Sequence, residues 1–148
     1  MGYRMDLETW PLIVVTLGSA LEDDENTRMF ADWGAVLARR EKFVAITDAR
    51  AVRAVGSAKQ RKQTADWMKS IDDQVKRYSL GHATIISNAL VRGALTALSW
   101  LHKGAAPELH AANMLDACDW CFEKLRAGGL EIPTSALVFR ADVARRER

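Results

Sequence analysis

Short apolar runs that alternate with helical patterns constrain the fold of this chain more than any other feature. The runs are LIVVTL (residues 12–17), KFVAITD (42–48) and GHATIIS (81–87), each followed by polar or turn-forming residues. Runs of this length are typical of strands that are buried on both faces of a sheet. Strands that alternate with helices through short loops build α/β units with right-handed crossovers. The sequence therefore predicts an α/β fold with a mostly parallel sheet.

Two further strands and four helices complete the predicted order, which is ββαβαβαβα. We predict a first strand within residues 2–9, followed by a turn at Trp10-Pro11, and a short strand within residues 107–112. The opening strand pairs antiparallel with the next one. The predicted helices cover residues 21–40, 57–78, 88–103 and 114–127, and Asp23 or Asp24 is the expected N-cap of the first.

The last segment, EIPTSALVFRADVARRER, differs in character from the rest of the chain. A chain of 148 residues is most simply one domain, and we place the α/β unit in residues 1–130. Residues 131–148 are then predicted to be a C-terminal tail. Its ALVF run either adds an edge strand or contacts a partner, and its ARRER end is a solvated basic segment.

Composition and charge narrow the possible classes of function. The chain is 49% hydrophobic and 27% charged, with a net charge of +2, as in ordinary globular proteins. No apolar run approaches the length of a membrane span, and the first residues lack an apolar signal segment. The near-neutral charge and the mixed signs along residues 57–78 argue against nucleic-acid binding. The expected location is the cytoplasm.

The two cysteines, Cys118 and Cys121, form a C-x-x-C pair that raises the question of redox or zinc chemistry. Both lie on the repeating apolar face of the predicted helix 114–127, which places them in the core. A zinc site would need a second ligand pair, and the three histidines show no ligand spacing. We therefore predict structural cysteines, no metal and no cofactor.

Ser57 precedes a strongly basic helix start and has three possible roles. As an N-cap it would form a capping box with Gln60. A phosphate on its hydroxyl would meet free helix amides and nearby cations, which include Lys59 and Arg61. The same groups could instead bind a free anion. A structural cap, a phospho-switch and an anion site all remain open.

The carboxyl ends of parallel strands share one edge of a sheet, where ligands commonly bind. Polar residues predicted to collect along this edge, here called the rim, are Ser19, Asp48, Arg50, Ser57, Ser87 and Asn88. Arg92 follows within an apolar helical pattern. It either forms an ion pair, for instance with Asp48, or clamps an anion at the rim.

The element order and three segments carry a resemblance to a known family. The segments are RKQTADWM (61–68), SNALVRGALTALSWL (87–101) and AANMLDACDWCFEKL (111–125). Over about residues 5–127 the chain resembles the STAS and anti-sigma-factor-antagonist superfamily, in particular a group of bacterial STAS-like proteins. The same broad fold occurs in CRAL-TRIO domains.

This resemblance implies a regulatory site. In the antagonist family a strand ends in an acid, and a kinase-type partner phosphorylates a Ser or Thr at the start of the next helix. Asp48 and Ser57 occupy those positions here. The family's acid-Ser-Ser/Thr-Gly surroundings differ, since Gly56 precedes Ser57 and Ala58 follows it.

We therefore expect a non-enzymatic cytoplasmic module that acts in regulation through protein–protein contact, with a kinase-like anti-sigma factor as the implied partner. Residues 137–139 and the five tryptophans also suggest a homodimer. The alternative to a regulatory module is a protein that binds a small anionic ligand, such as a nucleotide, phosphate or lipid head group. An enzyme is a third possibility, although the chain has no P-loop or G-x-S-x-G motif.

Overall fold

A computed structural model describes residues 2–54, 56–87, 89, 92–93 and 106–147. The described strands and helices, in chain order, are β1 Tyr3–Asp6, β2 Leu12–Leu17, α1 Asp23–Ala38, β3 Phe43–Asp48, α2 Ala58–Ser70, α3 Asp72–Tyr78, β4 Ser79–Ile85, β5 Glu108–Ala111, α4 Met114–Ala127 and α5 Thr134–Arg146. The predicted helix over 88–103 lies outside the described residues, apart from residues 89, 92 and 93.

The five strands form one mixed sheet in the order β1-β2-β3-β4-β5. β1 is antiparallel to β2, and every later neighbour is parallel. The register pairs Thr16 with Asp48, Asp48 with Ile85, and Ile85 with Ala111, so the carboxyl ends of β2 to β5 are level. The predicted α/β class and mostly parallel sheet are confirmed.

Successive side chains of the central strands pack alternately into two hydrophobic cores, one on each face of the sheet. Val44 and Ile46 of β3 face α4 and α5, whereas Phe43 and Ala45 face α1. This two-sided burial explains why β2 and β3 are continuously apolar in sequence. The sheet is therefore the middle layer, and its carboxyl edge is left for polar residues.

Helix α4 matches its prediction closely. Its buried residues are Met114, Ala117, Cys118, Cys121, Phe122 and Leu125. Burial raises the pKa of each cysteine thiol to about 12, and Cys121 Sγ lies 3.7 Å from the carbonyl oxygen of Ala45. The predicted core position of both cysteines is confirmed, and buried thiols with a raised pKa are poor nucleophiles.

The predicted helix over residues 57–78 is two helices, α2 and α3, with Ile71 at the break. Asp72 and Asp73 follow the break, and acids favour the N-terminal turn of a helix. None of the residues of either helix is fully buried. α2 instead packs on α1 through stacked rings of Phe30 and Trp67, whose centroids are 4.5 Å apart.

The expected edge strand in residues 131–148 is wrong, because this segment forms helix α5. Ala136 and Val143 are buried in the core that α4 also lines, with Phe139 packed against it. Their spacing of three and four residues matches one helix face, so the ALVF run is only part of a helical pattern. α5 therefore belongs to the domain. Leu137 and Val138, on its other side, are 48% and 55% exposed.

The N-cap of the first helix also differs from its prediction. Glu22 is the N-cap of α1 and forms a capping box with Glu25, in place of Asp23 or Asp24. Across the described ranges, no helix combines the length and the apolar character that crossing a bilayer requires.

Candidate functional site

Asp48 and Arg50 form the centre of the candidate site at the rim. Asp48 ends β3, and Arg50 folds back on it with Nε–Oδ1 and Nη2–Oδ2 distances of 3.0 and 2.9 Å. The Arg50 amide also donates to Asp48 Oδ1. Burial acts to raise the pKa of Asp48, but the hydrogen bonds and charge of Arg50 hold that pKa below its usual value. Asp48 is therefore a fixed carboxylate at neutral pH.

Ser87 lies beside this pair, and Arg92 contacts the residue that precedes Ser87. Ser87 Oγ donates to the carbonyl oxygen of Arg50 at 3.2 Å. Arg92 Nη2 donates to the carbonyl oxygen of Ile86 at 3.3 Å. The structure thus brings Asp48, Arg50 and Ser87 together, and Asn88 lies outside the described residues.

Glu147 completes the cluster through a contact that no sequence pattern indicates. Its Oε1 lies 3.1 Å from Arg50 Nη1. The amides of Met114 and Leu115, which open α4, donate to its two carboxylate oxygens at 3.2 and 3.1 Å. A carboxylate at a helix N-terminus interacts favourably with the helix dipole. No periodicity relates residues 50, 114 and 147, so only the tertiary structure shows this contact.

A groove of about 400 Å³ lies beside these contacts and is called here the rim groove. Asp6, Thr16 and Asp48 line it from the strands, and Phe139, Val143 and Glu147 line it from α5 and its end. Charged and apolar side chains therefore share one concave surface. Such a surface suits a partner or ligand with an ionic group and an apolar part.

Ser57 lies at the N-terminus of α2 and forms the predicted capping box. Ser57 Oγ accepts from the Gln60 amide at 3.1 Å, and Gln60 Oε1 accepts from the Ser57 amide at 3.1 Å. Gly56 has φ of +77°, which favours glycine, and a Cβ there would lie 2.8 Å from Gln60 Oε1. The local sequence Gly-Ser-x-x-Gln is thus required by the geometry of this cap.

The Ser57 cap is held by α1 rather than by the Asp48 cluster. Gln60 Nε2 donates to Asp23 Oδ1 at 2.8 Å and to the carbonyl oxygen of Leu21 at 3.3 Å. Ser19 lies on the same side, because its carbonyl oxygen accepts from the amides of Arg53 and Ala54. The predicted rim residues therefore form two groups, joined by the loop 49–56.

His82 is held within the sheet. His82 Nε2 lies 2.6 Å from Thr47 Oγ1, and burial lowers the pKa of His82 to about 4. Its ring also packs against Trp33 at 6.0 Å between centroids. His82 is therefore a neutral side chain of the sheet. Within the described ranges, no group of three or more His, Cys, Asp or Glu side chains could hold a metal ion.

Comparison with protein-family models finds no match to this chain, and comparison with curated proteins likewise finds none.

Proposed function

We propose that this chain is a non-enzymatic cytoplasmic module that regulates a protein partner by direct contact at the rim. The contact surface comprises the Asp48–Arg61 segment with Ser87 and Arg92. The partner is a kinase-like anti-sigma factor, as the resemblance to STAS-like antagonists implies, and phosphorylation of Ser57 switches the contact. A second copy of the chain, meeting the exposed Leu137 and Val138 of α5, is a further partner.

The exposed position of Ser57 is the observation that carries this proposal. Ser57 is exposed, as are Lys59 and Arg61 in the first turn of α2. Arg61 Nη1 lies 3.4 Å from the carbonyl oxygen of Gly56, so the guanidinium already lies beside the residue preceding Ser57. A phosphate on Ser57 would gain a helix N-terminus and these cations, while Asp23 beside Gln60 would oppose it. Phosphorylation would therefore rearrange the cap.

Substitution of Ser57 tests the switch. We expect Ser57→Ala to lose about 1 kcal/mol of stability as a lost cap and to keep its partners in affinity capture. Ser57→Asp should lose or gain partners, because it adds charge at the contact surface. Ser70→Asp, at the exposed far end of α2, is the matched control. If the wild type and the three variants capture the same partners equally, and light scattering gives all of them the same mass, the switch is contradicted.

A second candidate function is binding of a small anionic ligand in the rim groove. It is favoured because a carboxylate, that of Glu147, already binds Arg50 and two helix amides there. We expect inorganic phosphate to raise the Tm progressively with concentration, as binding to the folded state requires. The increase should be absent in Arg50→Gln. A Tm that is insensitive to phosphate, citrate and nucleotides would exclude this function.

A further inference from the structure

We propose that Glu147 is a latch that holds the last turn of α5 over the rim groove, so that its release opens the groove. This inference concerns access to the groove. The further idea that the latch regulates the binding of a partner rests on the function proposed above.

The latch consists of three donors that converge on one carboxylate. Arg50 reaches Glu147 from the loop after β3, and the amides of Met114 and Leu115 reach it from the start of α4. The side chain of Glu147 is 20% exposed. The carboxylate therefore joins two segments that are far apart in sequence to the end of α5.

Little else attaches this part of α5 to the domain. Val143 is the last fully buried residue of the helix, and Ala144 is half-buried. Arg145 and Arg146 are exposed, and Arg145 pairs with Asp142 of its own helix. A segment with few buried apolar contacts opens locally at low free energy. The contacts of Glu147 thus set how often the last turn leaves the groove.

Release of Glu147 would change both the shape and the charge of the groove. Glu147 and Val143 both line it, so movement of the last turn widens it. Arg50 would keep its hydrogen bonds to Asp48 but lose its contact with the Glu147 carboxylate. One guanidinium N–H and two helix amides would then be left without that acceptor. An anionic group of a partner that accepts from the Nη1 N–H and the two helix amides now bound by Glu147 must displace Glu147. Such a contact therefore forms only in the open state.

Cys118 provides a built-in reporter of this opening. It is fully buried, lies one turn after Met114, and shares its core with Val143. Burial first, and then the charges of Asp119 and Glu147 against that of Arg140, raise the pKa of its thiol to about 12, so it reacts slowly while the covering structure is closed. Replacing Cys121 with Ala leaves Cys118 as the single thiol of the chain.

The test measures the rate at which Cys118 reacts with Ellman's reagent in the Cys121→Ala protein. We expect Glu147→Ala to raise this rate about tenfold, the effect of losing a charge-assisted hydrogen bond. Asp142→Ala, which removes the exposed carboxylate paired with Arg145 on the same helix, should change it less than about twofold.

Denaturant unfolding of each variant separates local from global opening. The latch requires the labelling rate to rise more than the global unfolding constant does. Arg50→Gln keeps the Glu147 charge that acts on the Cys118 thiol, so a raised rate in this variant reports opening rather than a changed thiol pKa. Its effect should be less than multiplicative with that of Glu147→Ala, because both variants remove the same contact. Labelling that is unchanged in Glu147→Ala, or that only follows global stability, would overturn the latch. No partner is needed, so a failure to find one would count against the proposed function alone.

Discussion

Replacing Val143 with Asp should destabilise the protein by about 3 kcal/mol or more, a large fraction of the stability of a single domain. Val143 is 1% exposed and packs in the core beneath α4. The new carboxylate would be buried without an arranged cationic partner, which is among the most destabilising changes known for a single residue. Denaturant unfolding followed by circular dichroism measures the loss.

Val138 provides the matched control for this experiment, since it is a valine of the same helix that is 55% exposed. Val138→Asp should change stability by about 0.5 kcal/mol or less. Two equal, small losses would mean that residues 134–146 do not pack on the domain, in agreement with the tail predicted from the sequence. A large loss for Val143 alone would establish α5 as part of the core.

Arg50→Gln should cost about 1–2 kcal/mol at pH 7, and most of that loss should disappear near pH 3. The side chain of Asp48 is 17% exposed and that of Arg50 is 40% exposed, so solvent screening lowers the value expected for a buried pair. Arg50 keeps the pKa of Asp48 below its usual value. Its contribution is therefore present above the unfolded pKa of about 4 and is lost as the pH falls through the folded pKa.

Free energies of unfolding at pH 7 and pH 3 for the wild type and Arg50→Gln give this dependence directly. Arg53→Gln is the control, because Arg53 lies in the same loop and its guanidinium donates to the carbonyl oxygens of Arg50 and Val52 rather than to a carboxylate in the described part of the chain. Its loss should be small and equal at both pH values. If Arg50→Gln also showed a loss independent of pH, Arg50 would stabilise the loop by packing rather than by charge.

Much of the fold follows from local pattern, because a two-sided sheet produces signals that short windows reveal. The apolar runs of β2 and β3 and the apolar face of α4 each reflect burial that is repeated along one element. The capping box of Ser57 and Gln60 was predictable for the same reason, since its partners are three residues apart. Local spacing carries this information without any knowledge of the tertiary structure.

The sequence-based predictions fail where contacts between residues far apart in the chain decide the structure. The run at residues 136–139 fits a strand or a helix, and only its packing through Ala136 and Val143 decides between them. The break at Ile71 likewise interrupts a pattern that is helical on both sides. At the rim, Asp48 and Arg50 were expected, but the contact between Arg50 and Glu147 spans 97 residues of chain. No periodic signal reports a contact of that separation.

The sheet order has a consequence for the path of folding. Each strand pairs with the strand that precedes it in the chain, so the sheet can grow by successive addition at one edge. Helix α5 breaks this order, because Val143 returns to line the same groove as Val14 of β2. Contacts of such long sequence separation form slowly, since closing the intervening chain loses entropy. We expect the groove to form in the final step of folding, so a partly folded chain would have its sheet before it had its rim groove.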